Sequence, residues 1–221
     1  MIGEEIRRRV FRDTKSVYIE AAPSAPSYEV MKFVRANAGN EILDYGCATG
    51  MYCVELSKLG KTVKGVDVND AYVRIAREKG VEAHLLSGTA PFPPKSFDTV
   101  MLLEVLEHLE RPAEVLADAL RLARKNVLVT TPNCDRVDQL QSQGLLFEHF
   151  ADMDHKNFFT PDALRTLLSN YGSRVRVWGG NPISPLNLFR SKGILFAGKA
   201  LTRLGILRAG YFMRLYAVVE V

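Results

Sequence analysis

The stretch from Ile42 to Gly50, ILDYGCATG, decides the fold. Its first residues are apolar and predict a buried strand, and a glycine-rich turn separates this strand from a helix predicted to begin at Met51. Gly46 can adopt a backbone conformation that is closed to other residues, and Gly50 lets the chain approach a ligand closely. A strand that runs through such a turn into a helix is typical of the first unit of a nucleotide-binding α/β domain.

Apolar strand patterns alternate with helical patterns through the first two thirds of the chain. This alternation predicts an α/β fold, namely a doubly wound, mostly parallel sheet with helices on both faces and an antiparallel last strand. Residues 1–40 are predicted to form an N-terminal helical segment. Residues 41–221 are predicted to form the cofactor-binding domain, in which residues 179–214 are an inserted basic cap.

The composition is that of an ordinary globular protein. The chain has 221 residues, of which 47% are hydrophobic and 24% charged, enough for one sizeable core. The three cysteines are an odd number with no zinc-knuckle spacing, which argues against a secreted disulfide scaffold and against structural zinc. Charged residues near Met1 and the lack of a long apolar run predict a cytoplasmic protein without a spanning helix.

The acids at the ends of the first two strands indicate what kind of ligand the turn binds. Asp44 would repel a phosphate but would attract an ammonium group. The turn also departs from the G-x-G-x-x-G fingerprint of dinucleotide-binding domains, since the sequence has Gly46, Ala48 and Gly50, followed by Met51. Asp67 lies at the end of the next strand, where an acid can accept both ribose hydroxyls. The pattern favours a cationic, phosphate-free nucleoside ligand.

Four segments in order resemble the motifs of the class I S-adenosylmethionine-dependent methyltransferases. They are ILDYGCATG, VKGVDVND, SGTAPFPPKSFDTV and LLEVLEHLERP, and the resemblance extends from about Glu41 to Tyr171. Thr89 stands where that family often has an aspartate that reaches the adenine amino group. The resemblance implies S-adenosylmethionine as the cofactor, with S-adenosylhomocysteine as the product. It implies cofactor contacts from Asp44, Gly46, Cys47, Gly50, Asp67, Val68, Thr89, Ala90 and Glu104.

Histidines supply the candidate acid–base chemistry. His108 follows the fourth strand, and His149 and His155 follow the fifth, so all three are predicted at the carboxyl edge of the sheet, where ligands bind. A hydroxyl acceptor must lose its proton during methyl transfer, and we expect His108 and His155 to be the catalytic residues. The segment around His155 also resembles a substrate-side segment of methyltransferases that act on small molecules, sugars or lipids. We therefore predict O-methylation of a small-molecule, sugar or lipid-linked acceptor.

Two alternatives remain open at this stage. Glu104, Glu107, His108 and His155 also resemble the metal ligands of small-RNA 2′-O-methyltransferases, so metal-assisted RNA methylation is one alternative. Because the same acidic pattern occurs in metal-free methyltransferases, we predict no metal and regard nucleic acid as a less favoured partner. The second alternative is a protein that binds the cofactor without catalysis.

The end of the chain is strongly basic. No acidic residue lies between Asp162 and Glu220, whereas nine basic residues do. From Leu186 to Arg214, apolar side chains alternate with single cations, including Arg203 and Arg208. Such a pattern is typical of an amphipathic element at an anionic membrane, and it predicts a peripheral membrane contact. A cap packed on the domain is an equally simple interpretation.

Overall fold

The computed structural model describes residues 25–135, 155–183, 192–204, 206 and 211–221. Its strands and helices follow the predicted alternation. The strands are β1 (Glu41–Tyr45), β2 (Thr62–Asp67), β3 (Glu82–Leu85), β4 (Phe97–Leu103), β5 (Ala123–Pro132), β6 (Arg174–Ile183) and β7 (Tyr211–Glu220). The helices are α1 (Tyr28–Asn37), α2 (Met51–Lys58), α3 (Asp70–Glu78), α4 (Pro112–Leu122), α5 (Pro161–Ser169) and α6 (Lys192–Arg203), with a 3₁₀ turn at Leu106–His108.

The strands form one sheet in the order β3-β2-β1-β4-β5-β7-β6. The first five strands are parallel to one another, while β7 is antiparallel to both β5 and β6. The order reverses between β1 and β4, where an open α/β sheet has its ligand crevice at the carboxyl ends of the strands. The predicted fold class is confirmed, including the antiparallel last strand.

Helices cover both faces of this sheet. One core contains the buried sides of α1, α2 and α3, and the other contains those of α4 and α5. Successive strand residues alternate between the two cores, so that Leu43 and Leu102 pack on one face and Ile42 and Met101 on the other. Every residue of β4 is buried, as expected for a central strand with helices on both sides.

The hairpin at the end of the chain differs in extent from the predicted cap. Strands β6 and β7 pair from Arg174 opposite Glu220 to Ile183 opposite Tyr211, so both ends of the predicted 179–214 cap are sheet. Between the strands, the structure describes α6 and the residues just after it. Residues 1–24, which belong to the predicted N-terminal helical segment, lie outside the described residues, and α1 is the described helix of that segment.

Asp118 on α4 fixes the segment that follows β3. Its Oδ2 accepts hydrogen bonds from the Tyr45 hydroxyl at 3.2 Å and from the Ala90 amide at 2.9 Å. Its Oδ1 accepts from Arg121 Nε at 2.9 Å, and Arg121 in turn donates to the carbonyl oxygens of Ala90 and Phe92. The side chain of Asp118 is only 5% exposed. One buried carboxylate therefore ties β1, α4 and the Ala90 segment together.

We expect Asp118→Ala to lower the free energy of unfolding by about 3 kcal/mol, because it leaves two buried donors without an acceptor. Urea denaturation measures this difference. Glu114→Ala is the matched control on the same helix, because its pair with Arg111 is exposed. The control should change stability by less than about 0.5 kcal/mol. Equal losses for the two variants would contradict the role given to Asp118.

Candidate active site

The glycine turn after β1 lies at the carboxyl edge of the sheet. Gly46 has a φ of +88°, and a Cβ there would lie 2.7 Å from Val105 Cγ2. The amides of Gly46 and Cys47 both donate to the carbonyl oxygen of Val66, at 2.8 and 3.0 Å, which closes the turn onto the end of β2. The turn is therefore packed between the end of β2 and the residues that follow β4.

Gly50 is also constrained by packing within the protein. Its φ is +74°, and it caps the start of α2. A Cβ at this position would lie 3.0 Å from both Ala76 Cβ and Val81 Cγ2. Gly50 thus makes room for α3 and the chain just after it, so the structure explains this glycine by packing within the protein.

Asp67 joins the glycine turn to the loop that follows β2. Its Oδ2 accepts a hydrogen bond from the Ala48 amide at 2.8 Å, and its Oδ1 accepts one from the Asn69 amide at 2.8 Å. Ala48 has a φ of +45°, a conformation uncommon for a residue with a side chain. Burial raises the pKa of Asp67, although backbone hydrogen bonds oppose the shift. Each carboxylate oxygen keeps a lone pair that can still accept from a ribose hydroxyl.

Asp44 is the most deeply buried acid of the turn, at 2% exposure. Its Oδ2 accepts a hydrogen bond from the Cys53 thiol at 3.4 Å. Burial raises the pKa of Asp44 to about 7; the thiol hydrogen bond opposes this shift and the charge of Asp67 adds to it. A buried carboxyl with such a pKa is stabilised as a carboxylate when a cation binds next to it.

The residues predicted to lie along the adenine differ in exposure. Val68 is 74% exposed, and it follows Asp67 directly. Thr89 is also exposed. Ala90 is 3% exposed, and Asp118 and Arg121 occupy its amide and carbonyl. The backbone of Ala90 therefore positions this segment, while Val68 and Thr89 present accessible surface.

Glu104 directly follows β4 and forms an ion pair that the sequence did not reveal. Its Oε1 lies 3.0 Å from Arg214 Nε, and its Oε2 lies 3.2 Å from Arg214 Nη2, a side-on pairing. Glu104 has a φ of +56°, and its amide donates to the carbonyl oxygen of Thr130 at 3.0 Å. Arg214 of the basic segment is therefore paired with an acid that lies outside this segment in the sequence.

Two further cations of the basic segment also have acidic partners. Arg165 pairs with Asp162 at 2.7 Å, and Arg174 lies 3.8 Å from Glu220. Asp162 and Glu220, the two acidic residues that flank the basic segment in the sequence, therefore form ion pairs with it in the fold. Acidic residues that lie outside the segment in the sequence therefore neutralise part of its positive charge.

The three candidate groups Glu107, His108 and His155 form one cluster. Their ligand-capable atoms all lie within 4.8 Å of one another, and the two imidazole centroids are 4.7 Å apart. Glu107 is 1% exposed, whereas both histidines are half-buried. Of the four residues considered as metal ligands, Glu104 pairs with Arg214, and the other three form this cluster. His149 lies outside the described residues.

Backbone hydrogen bonds hold the two histidines together. The amides of Lys156 and Asn157 both donate to the carbonyl oxygen of Glu107, at 2.6 and 2.9 Å. The Asn157 side chain donates to the carbonyl oxygens of Leu106 and Leu109, at 3.0 and 2.6 Å. The chain that carries His155 is thus docked on the 3₁₀ turn that carries His108. Neither Asn157 nor this docking was predicted from the sequence.

The carboxyl group of Glu107 lies in an environment that disfavours its charge. Its Oε2 accepts a hydrogen bond from the Thr131 hydroxyl at 3.3 Å, while its Oε1 has no hydrogen-bond partner among the described residues. Burial, followed by the charge of Glu104, raises the pKa of Glu107 well above its usual range. A buried oxygen of this kind gains energy from any proton donor or cation that binds beside it.

Comparisons with known proteins identify the family of this chain. Residues 18–176 match the model of a methyltransferase-domain family. Ubiquinone biosynthesis O-methyltransferases of Saccharophagus degradans and Aeromonas salmonicida are 27% and 30% identical over 67% of this chain, which spans 70% and 69% of their lengths. For the Maricaulis maris relative with the same description, identity is 29% and the spanned length is 64%. A methyltransferase structure from Archaeoglobus fulgidus superposes over 99% of both chains with a TM-score of 0.66 and 18% identity.

The fold and the site define a methyltransferase. The chain belongs to the methyltransferase-domain family and, within it, to the class I enzymes that use S-adenosylmethionine as the methyl donor. These matches do not favour RNA methylation or cofactor binding without catalysis. In the part of the chain that the structure describes, no helix is long and apolar enough to cross a membrane.

We expect cofactor affinity to depend on the ionisation of Asp44. S-adenosylmethionine carries an ammonium and a sulfonium, so it binds the carboxylate form in preference to the neutral acid. Because the pKa of Asp44 in the free protein is about 7, affinity should fall roughly tenfold from pH 8 to pH 6. Calorimetry across this range measures the dependence.

Asp44→Asn is the control for this dependence. The variant should bind more weakly at pH 8 and should lose most of the pH dependence. The pKa of Asp67 is raised in the same direction, so any slope left in the variant reports Asp67. Affinity that is constant or that rises as the pH falls would contradict the role of Asp44.

Proposed function

We propose that this methyltransferase transfers the methyl group to a hydroxyl oxygen of a small, apolar or lipid-linked acceptor. The observation that carries the proposal is the His108–His155 pair beside buried Glu107 at the carboxyl edge of the sheet. Methylation of a hydroxyl needs a group that accepts its proton, and two adjacent imidazoles supply that group. The names of the relatives support the same chemistry, because several are described as O-methyltransferases of ubiquinone biosynthesis.

The reaction divides between the two halves of the site. The turn formed by Asp44, Gly46 and Cys47, together with Asp67, holds the cofactor, and the exposed Val68 and Thr89 face its adenine. The acceptor oxygen attacks the methyl carbon in line, the carbon–sulfur bond breaks with its electron pair going to sulfur, and S-adenosylhomocysteine forms. The hydroxyl proton passes to His155 or His108.

Glu107 completes this cluster. When an imidazole accepts the proton it becomes a cation, and a carboxyl oxygen of the nearby Glu107 can accept a hydrogen bond from it. Oε1 of Glu107, which has no hydrogen-bond partner among the described residues, is available for this bond. The Asn157 side chain keeps His155 against the 3₁₀ turn by donating hydrogen bonds to backbone carbonyl oxygens of this turn and of the residue that follows it.

We expect His155→Ala to lower kcat on the order of 10²-fold while leaving cofactor affinity unchanged, because a proton acceptor is lost but the glycine turn is not. The assay follows transfer to a hydroxylated benzoquinol that carries a short isoprenoid tail. His84→Ala is the matched control, since His84 lies on the edge strand β3 beside Glu82. An unchanged kcat for His155→Ala would contradict the proposed role.

A chelator distinguishes proton transfer from metal chemistry at the same cluster. With EDTA present, the wild-type protein should keep its activity, because imidazole bases need no metal ion. Activity that is abolished by EDTA and restored by Mg²⁺ or Mn²⁺ would instead assign Glu107, His108 and His155 as metal ligands and would overturn the proton-acceptor role.

The described part of the hairpin insertion supports contact with an anionic membrane. Phe196 on α6 is 77% exposed, and Leu204 and Ile206 just after it are 72% and 70% exposed. Large apolar side chains exposed this closely together usually mark a binding surface. The surrounding sequence from 163 to 219 contains no acidic residue, which suits anionic headgroups. A lipid-linked acceptor would then reach the site from the membrane surface.

We expect the protein to sediment with phosphatidylglycerol liposomes at low salt and to be released as salt rises, because the Debye length shrinks. Replacing Phe196 and Leu204 together by serine should weaken sedimentation at least severalfold. Tyr28→Ser is the control, because Tyr28 is 73% exposed on α1. Equal binding of both variants, or equal binding to neutral liposomes, would make the insertion a structural cap.

A further inference from the structure

Arg214 lies at the same edge of the sheet as the glycine turn, although it belongs to the last strand. Strand β7 is antiparallel to β5, and Arg214 pairs with Pro132, the residue with which β5 ends. Its side chain reaches past β5 to Glu104, which directly follows β4. Strand β7 thus places the guanidinium of Arg214 at the edge of the sheet where the parallel strands have their carboxyl ends.

Glu104 lies beside the glycine turn. The next residue, Val105, occupies the space that a Cβ at Gly46 would need, at 2.7 Å. The left-handed backbone of Glu104, held by Thr130, places the carboxylate where β4 ends. The side chains of Glu104 and Arg214 are only 29% and 19% exposed, so both charges lie partly inside the protein.

Asp44 contributes a third charged group at this edge of the sheet, and the pKa of Tyr52 responds to all three charges. The Tyr52 hydroxyl, in the first turn of α2, has a pKa raised to about 12, chiefly by burial. Arg214 lowers this pKa, while Asp44 and Glu104 raise it. Asp44 pairs in the sheet with Met101 of β4, three residues before Glu104. Two carboxylates and one guanidinium give the neighbourhood a net charge of −1 when Asp44 is ionised. S-adenosylmethionine, with an ammonium, a sulfonium and a carboxylate, carries +1.

Arg214 keeps donors for a ligand after its contacts with the described residues are counted. A guanidinium has five N–H groups, of which Glu104 takes two and the hydroxyl of Tyr216 takes one. The guanidinium donors that these contacts leave can bind a carboxylate. An Arg–Glu pair therefore presents a positive and a negative group side by side, complementary to the two ends of an α-amino acid.

We propose that Arg214 and Glu104 recognise the amino-acid end of the cofactor, with Arg214 binding its carboxylate and Glu104, together with Asp44, facing its ammonium group. Arg214 is then a specificity-determining residue supplied by β7. It discriminates S-adenosyl compounds that carry an intact amino acid from those that lack the carboxylate.

The test compares ligands that lack one charged group each. Calorimetry measures the affinity of wild type and Arg214→Met for S-adenosylhomocysteine and for its decarboxylated analogue. The variant should bind S-adenosylhomocysteine about tenfold more weakly, the effect of one charge-assisted contact. It should bind the decarboxylated analogue within about twofold of wild type. Arg214→Lys should recover part of the lost affinity.

Glu104→Gln supplies the reciprocal measurement. It should weaken both of these ligands, because each keeps the ammonium, and should leave 5′-methylthioadenosine, which lacks the whole amino acid, unaffected. Arg174→Met is the matched control for structure, since Arg174 and Glu220 pair at the opposite end of β6 and β7. It should change no affinity, and the Tm of every variant is measured alongside.

Two results would overturn the proposal. If Arg214→Met weakens S-adenosylhomocysteine and its decarboxylated analogue equally, Arg214 only holds the structure of the crevice. If it weakens neither, the pair with Glu104 has no part in cofactor binding.

Discussion

The carboxylate of Asp67 joins the two loops on which the cofactor site depends. Without side-chain acceptors at this point, the Ala48 amide in the glycine turn and the Asn69 amide before α3 would both lack partners at the edge of the sheet. The strained backbone of Ala48 is held by one of these bonds. Because the same carboxylate is also the predicted acceptor of the ribose hydroxyls, ligand binding and loop geometry would share one group. The desolvation that raises its pKa is offset by the backbone amides.

Local sequence was sufficient to predict the strand, the glycine turn and the helix that form the candidate cofactor site. The strand, turn and helix around Gly46 lie within a few residues of one another, and Asp67 ends the neighbouring strand, so parallel pairing brings them together. The convergence of His108 and His155 could also be anticipated, because the carboxyl ends of β4 and β5 are adjacent. These inferences needed only the alternation of elements and the geometry of parallel sheets.

Contacts between distant parts of the chain could not be predicted in this way. The pair between Glu104 and Arg214 joins residues 110 positions apart and requires the register of β7 on β5, which no local pattern specifies. The sequence of the basic segment therefore indicated a uniformly charged surface, whereas the fold buries one of its cations. Similarly, Gly50 fits the motif of a ligand turn, and its neighbours Ala76 and Val81 add a packing constraint that the motif does not reveal.

The docking of residues 155–157 on the 3₁₀ turn has an evolutionary consequence. The amide of Cys134 donates to the carbonyl oxygen of Phe159 at 2.8 Å, so the chain is fastened just before the loop after β5 and again at its return. The bonds that hold His155 are made by residues 155–157 themselves, so substitutions, insertions or deletions between residues 136 and 154 can be accommodated without removing them. Selection can thus change this part of the sequence while the two histidines stay together.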